Sequence, residues 1–210
     1  METSSVNRIG LKSIGWVAMT VLAIGVAGYS SMAWWSPDTI GFIRVRDGFL
    51  RQLLIAHALT GLVALAIGPF QFLPSLRNKR PVLHRNLGRV YLSVILFSGL
   101  SGLWLAFHTT GGFAANSGFF ILSLVWLLTG ALAWRAVLQR DLAAHRAWMM
   151  RSYALTFAAV TLRIYLGLGV AAGIPFAEIY ATAAWSSWVL NLIVVEWWLL
   201  RTRSIQRVRG

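Results

Sequence analysis

Two short phrases of the sequence combine histidine, arginine and tyrosine in the same order. LHRNLGRVY begins at Leu83, and AHRAWMMRSY begins at Ala144, 61 positions later. Each phrase contains a His-Arg pair, a second arginine and a tyrosine, and each opens a long apolar run. Imidazole is a common axial ligand of haem iron, and arginine binds carboxylates through a fork of donors. Because the chain has only 4 histidines, these phrases are the first candidates for chemistry.

The composition indicates the environment that surrounds these residues. The chain is 58% hydrophobic and 12% charged, with a mean hydropathy of +0.67, whereas soluble domains are about 25% charged. A soluble core of this size could not bury so much apolar surface. The composition therefore indicates an integral membrane protein. The absence of cysteine excludes disulfides, zinc-thiolate sites and cysteine-held iron–sulfur clusters.

The apolar runs predict an all-α, polytopic bundle of six transmembrane helices. A spanning helix needs about 20 mostly apolar residues, and the runs that qualify are 13–35, 50–73, 90–107, 117–138, 148–172 and 177–200. The first run is too long for a signal peptide and lacks a clear cleavage site, so we interpret it as an uncleaved helix. We expect a single integral membrane domain over residues 1–210.

The distribution of lysine and arginine predicts the orientation. Fifteen of the 19 basic residues would lie on one side of the membrane, with Arg44, Arg46 and Arg51 on the other and Arg163 inside a helix. The positive-inside rule then places both termini in the cytoplasm, and we expect the bacterial cytoplasmic (inner) membrane. The net charge of +13 lies in short loops, where it meets anionic lipid head groups, so we predict membrane lipids and no nucleic acid as partners.

The repeated phrases place two histidines at equal depth. His84 and His145 come just before the third and fifth predicted helices, with Arg89 and Arg151 about one turn further on. A b-type haem in a helical bundle needs two imidazoles at one level, with cations near its propionates. We therefore expect haem b as a cofactor, with His84 and His145 as the iron ligands. A second interpretation remains open, in which histidine and arginine at a helix end bind lipid phosphate. A zinc site lacks a nearby carboxylate or thiol.

Polar residues inside the membrane are costly and indicate a second cofactor-binding or structural cluster. Arg163 lies about 22 Å from the cytoplasmic side, and His57 lies at about the same height. We expect Arg163 to face the bundle interior and to bond carbonyls, His57, an anionic ligand or a haem propionate. An ion pair between Glu196 and Arg151 is also expected. We also expect Asn191 and Gln71 to make interhelical hydrogen bonds. Close contacts between helices are expected at Gly99, Gly102, Gly130, Gly167 and Gly169.

Several stretches resemble a known family. GPFQFLP (68–74), LHRNLGRVY (83–91), HRAWMMRSYALTFAAVTLRIYL (145–166) and WVLNLIVVEW (188–197) are similar to the predicted bacterial membrane proteins of domain of unknown function 2306. The resemblance covers about residues 50 to 200. It implies a helical bundle and a histidine set that matches His57, His84 and His145.

A looser resemblance links the chain to six-helix, di-haem b-type cytochromes. Those families use two histidine pairs on the central four helices, and His84 and His145 resemble one such pair. The fourth helix has no histidine to pair with His57. His108 is the only substitute, and it would lie about 7 Å higher by helical rise. The resemblance therefore implies at most one haem of this kind.

Three functions remain open at this point. The first is a haem-linked electron carrier or quinol-linked oxidoreductase, with a quinone or a redox protein as partner. The second is a small-solute or anion transporter in which His57 and Arg163 line the path. The third is a non-catalytic assembly or scaffold subunit of a membrane complex, in which the chain forms part of an oligomer. An absorption spectrum separates the first from the other two.

Overall fold

The computed structural model describes the backbone of residues 3–39, 43 and 48–209 and the side chains of residues 13–38, 43 and 48–202. All regular structure in these ranges is helical. The α-helices are α1 (Thr3–Trp35), α2 (Gly48–Gln71), α3 (Pro74–Lys79), α4 (Pro81–Ala106), α5 (Gly112–Leu138), α6 (Leu142–Thr156), α7 (Ala158–Ala171) and α8 (Phe176–Arg209), with a 3₁₀ turn at Pro37–Thr39.

Within the described residues, six helical segments are long and apolar enough to cross a membrane, which confirms the predicted all-helical fold. The fifth segment, Leu142–Ala171, consists of α6 and α7, which meet at Phe157. Arg44 and Arg46 lie outside the described residues. The cytoplasmic location of both termini stays a prediction.

The third and fifth segments begin earlier than the apolar runs predict. Helix α4 starts at Pro81, which occupies the first helical position, where proline fits well. Helix α6 starts after Asp141, whose carboxylate accepts a hydrogen bond from the Ala144 amide at 2.9 Å. The expectation that His84 and His145 precede their helices was therefore wrong, because both lie in early turns of them. Hydropathy misses these polar first turns, whereas the capping residues define them.

The six segments pack around a core of aromatic side chains. Helix α2 lies against α1 and α4, α5 against α4 and α6, and α8 against α5, α6 and α7. Tyr91, Trp126, Tyr153 and Trp188 are buried in this core. Many large apolar side chains point outward, as the hydrocarbon of a bilayer requires. We call the end of the bundle where α4 and α6 begin the basic side.

Small residues allow the central helices to approach closely. A Cβ atom added at Gly68 would lie 2.0 Å from Tyr153 Cε2, and one added at Gly99 would lie 2.6 Å from Leu127 Cδ2. Gly102, Gly130 and Gly169 make similarly close contacts, as predicted. The prediction was wrong for Gly167, where nothing lies within 4 Å of an added Cβ. That glycine lies on a surface without a neighbouring helix.

Candidate functional site

A buried hydrogen-bond network fixes the register between α4 and α6. The Tyr91 hydroxyl hydrogen-bonds with Ser152 Oγ at 3.1 Å and with Thr156 Oγ1 at 2.8 Å. Trp126 of α5 donates its indole N–H to the same Thr156 oxygen at 3.0 Å. Tyr91 and Ser152 are both fully buried. The long tyrosine side chain therefore bridges the two helices at a defined height.

The same register places the two repeated phrases at the same height on their helices. Tyr91 and Ser152 are 61 residues apart, as are His84 and His145. Each histidine precedes its network residue by seven positions, which is about two helical turns on nearly the same face. Because both helices begin at the basic side, the histidines lie at one level. They are close enough for their charges to interact.

Within each His-Arg pair, the histidine and the arginine point in different directions. His84 and His145 are half-buried, whereas Arg85 and Arg146 are exposed. Consecutive helical residues differ by about 100° around the axis, so the two side chains of a pair cannot share a face. The arginines are therefore placed for lipid phosphate, and the histidines face the protein.

The two imidazoles have different hydrogen-bond partners. His145 Nδ1 donates to the Ala133 carbonyl of α5 at 2.8 Å, which orients the ring and leaves Nε2 as the basic nitrogen. His84 Nδ1 is buried and has no hydrogen-bond partner within the described part of the chain. The amide nitrogen of Gln71 is also buried without one. The expected interhelical bond of Gln71 is thus not made by this nitrogen, whereas Asn191 donates to the Ala154 carbonyl at 3.1 Å.

These two unpartnered nitrogens lie in the same region at the basic side. Gln71 Oε1 is 3.6 Å from a Cβ atom placed at Gly88, one helical turn beyond His84. Arg77 of α3 is near enough to His84 for their charges to interact. A region between α2, α4 and α6 therefore combines His84, His145, Gln71 and Arg77. Sequence reasoning missed Arg77 and assigned Gln71 no part in this site, because their spacing does not match the repeat.

The two arginines expected to flank the histidines lie elsewhere. Arg151 pairs with Glu196 of α8, with Nε to Oε1 at 2.5 Å, which confirms the predicted ion pair. Its guanidinium also lies 4.5 Å from the centre of the Trp148 ring. Arg89 is exposed and donates to Asn86 at 3.3 Å. Because each arginine lies on a helical face different from that of its histidine, the structure does not gather all four residues into one site.

His57 and Arg163 occupy neighbouring but separate polar positions. His57 Nδ1 donates to the Ser98 carbonyl at 2.9 Å, which joins α2 to α4. Arg163 donates to the Ala159 carbonyl at 2.7 Å and to Ser30 Oγ of α1 at 3.4 Å. Within the described part of the chain, no hydrogen bond joins His57 to Arg163. Arg163 therefore bonds a carbonyl, as expected, but its donors turn toward α1.

His108 lies far from His84 and His145, which are the histidines at the basic side. Its ring stacks on Trp104 with 5.8 Å between ring centres, near the opposite end of α4. Nδ1 donates to the Trp104 carbonyl at 3.0 Å. Among the described residues, no group of three or more His, Asp or Glu side chains is arranged to hold a metal ion.

The fold and its polar clusters define a polytopic helical membrane protein. The family model described as predicted membrane protein (DUF2306) matches residues 54–199. The chain belongs to this family, and the resemblance noted from its motifs is confirmed. No curated protein and no solved structure matches the chain.

Proposed function

We propose that the protein binds one haem b at the basic side and carries electrons within the membrane, with His84 and His145 as the two axial imidazoles. The single observation that carries the proposal is their common register, set by the hydrogen bond between Tyr91 and Ser152. A metal ion held by protein side chains alone needs three or more ligands. Haem needs only two, because the porphyrin supplies the remaining four nitrogens.

The hydrogen bond from the His145 ring to the Ala133 carbonyl supports this proposal. An axial histidine usually donates its other ring N–H to a carbonyl or carboxylate, which fixes the ring and makes the ligating nitrogen more basic. The bond from His145 Nδ1 to Ala133 has this form. The Nδ1 atom of His84 is buried and has no hydrogen-bond partner among the described residues. Burying this nitrogen without a partner is unfavourable, and an iron bound at Nδ1 would supply one.

The surroundings of the histidines suit an anionic cofactor in a low-dielectric site. Arg77 belongs to α3, which packs against α4, and it would be the cation for a haem propionate in place of Arg89 and Arg151. The Tyr91 hydroxyl joins α4 to α6, so it would hold the helices that carry the two histidines in register around a bound haem. Haem bound there would supply a one-electron couple, and His84 and His145 would hold and orient it.

The test is the absorption spectrum of the purified protein after expression with ample haem. We expect a b-type Soret band that shifts on reduction and that is lost in both His84→Ala and His145→Ala. His108→Ala is the matched control, since it removes an imidazole at the other end of α4. Far-ultraviolet circular dichroism checks that each variant is folded. A colourless wild-type protein, or a band that survives both substitutions, would overturn the proposal.

A further inference from the structure

The outer surface of the α4–α5 pair carries an apolar groove of about 500 Å³, a size typical of ligand sites. Its walls include Leu92 and Leu96 of α4 and Leu127 and Ala131 of α5, while Arg89 and Trp134 stand at one end. Neither His84 nor His145 lines this groove. It is therefore separate from the proposed haem site.

Helical periodicity and small side chains create the groove. The lining residues of α4 span positions 89 to 96, and those of α5 span 127 to 134. Each set covers about two turns, or about 10 Å along the axis. Gly130 lets α5 approach α4, since an added Cβ there would lie 2.7 Å from Ile95 Cδ1. Ala131 is exposed and has a small side chain, so the groove stays open on the outer side of this contact.

The polar end of the groove has the chemistry of a lipid head-group site. Arg89 is exposed and bonds the neutral Asn86 side chain, and none of the residues lining the groove is acidic. Trp134 comes near the end of α5, where an indole ring suits the membrane–water boundary. A guanidinium group at this depth binds an anionic phosphate through paired hydrogen bonds.

We infer that this groove binds an anionic phospholipid, with its phosphate on Arg89 and one acyl chain between Leu92 and Leu127. The charge favours this occupant over a neutral quinone, whose head group gives Arg89 no anion to pair with. The apolar walls, about 10 Å long, would contact the part of an extended acyl chain that is nearest the head group. The site makes the protein selective for the charge of the lipid as well as for its apolar tail.

The experiment is native mass spectrometry of the full-length protein, purified in mild detergent, delipidated and titrated with phosphatidylglycerol or with phosphatidylcholine of the same chains. We expect at least one phosphatidylglycerol to bind about tenfold more tightly than phosphatidylcholine, because the choline cation of the latter is repelled by Arg89 and offsets the attraction of its phosphate. Arg89→Gln should remove this preference. Ala131→Leu should weaken the binding of both lipids, because it fills the groove from an exposed position that leaves the fold intact.

Arg201→Gln is the matched control. Arg201 also lies at the basic side and also accompanies a tryptophan, with its guanidinium 4.0 Å from the centre of the Trp197 ring. We expect this variant to keep the wild-type preference. Equal affinity for the two lipids would overturn the inference, as would equal losses in Arg89→Gln and Arg201→Gln. Displacement of the phospholipid by ubiquinone, or a dimer that hides the groove, would also overturn it.

Discussion

Arg151 and Glu196 join α6 to α8 through two parallel hydrogen bonds, from Nε to Oε1 at 2.5 Å and from Nη2 to Oε2 at 2.9 Å. The arginine side chain is 17% exposed and the glutamate 45% exposed. Removing one partner leaves the other charge partly buried. We expect Glu196→Gln to lower the free energy of unfolding by about 1–2 kcal/mol, between the values for exposed and buried pairs.

The measurement for this pair is thermal or denaturant unfolding in detergent micelles. Glu178→Gln is a suitable control, because Glu178 is exposed in the first turn of α8. The double replacement of Arg151 and Glu196 by methionine should recover much of the loss, since neither charge is then left unpaired. A double variant as unstable as the single one would contradict this account of the pair.

Gly68 lies against the Tyr153 ring, and a Cβ atom added there would be 2.0 Å from Tyr153 Cε2. The Tyr153 ring that lies against it cannot move easily, because its hydroxyl donates to the Leu65 carbonyl at 3.2 Å and its ring packs against Phe72. We expect Gly68→Ala to destabilise the protein by about 1–3 kcal/mol through overpacking. Gly167→Ala should be neutral or slightly stabilising, since its added Cβ meets nothing within 4 Å. Similar melting temperatures for the two variants would refute the steric explanation.

The hydroxyl of Tyr91 is the bridge that sets the register of α4 against α6. Tyr91→Phe keeps the ring but leaves Ser152 and Thr156 without this partner. In membrane proteins such interhelical hydrogen bonds contribute about 0.6–1.7 kcal/mol, and we expect a loss of this size in unfolding experiments. Tyr165→Phe on α7 serves as the control. An unchanged stability of Tyr91→Phe would show that ring packing alone sets the register.

The orientation can be tested by cysteine labelling, because the natural chain has no cysteine. Asn78 and Thr110 are both exposed, at opposite ends of α4. With most lysines and arginines on the cytoplasmic side, a membrane-impermeant maleimide should label Thr110→Cys in intact cells and Asn78→Cys only after the membrane is opened. Labelling in the reverse pattern would invert the topology, and labelling of both from one side would contradict the fold.

The sequence alone determined the number and type of the spanning elements. Hydrocarbon leaves the backbone no partner but itself, so a long apolar run in a bilayer must be helical. The family could be recognised for a similar reason, since its motifs are continuous stretches of sequence. The pair of Arg151 and Glu196 was also predictable, because the depth of a charge in the membrane follows from its position along a helix.

The rotation of each helix was decided only by the tertiary structure. Residue counting places Arg89 and Arg151 at nearly one depth, about 8 Å further along their helices than His84 and His145, but it does not tell which neighbour each side chain faces. The packing of Tyr91 against Ser152 turns His84 toward α6. The same rotation turns Arg89 outward into the groove against α5. Hydropathy reports depth, whereas the complementary shapes of glycines and aromatic rings choose the face, because close packing admits few rotations of one helix against the next.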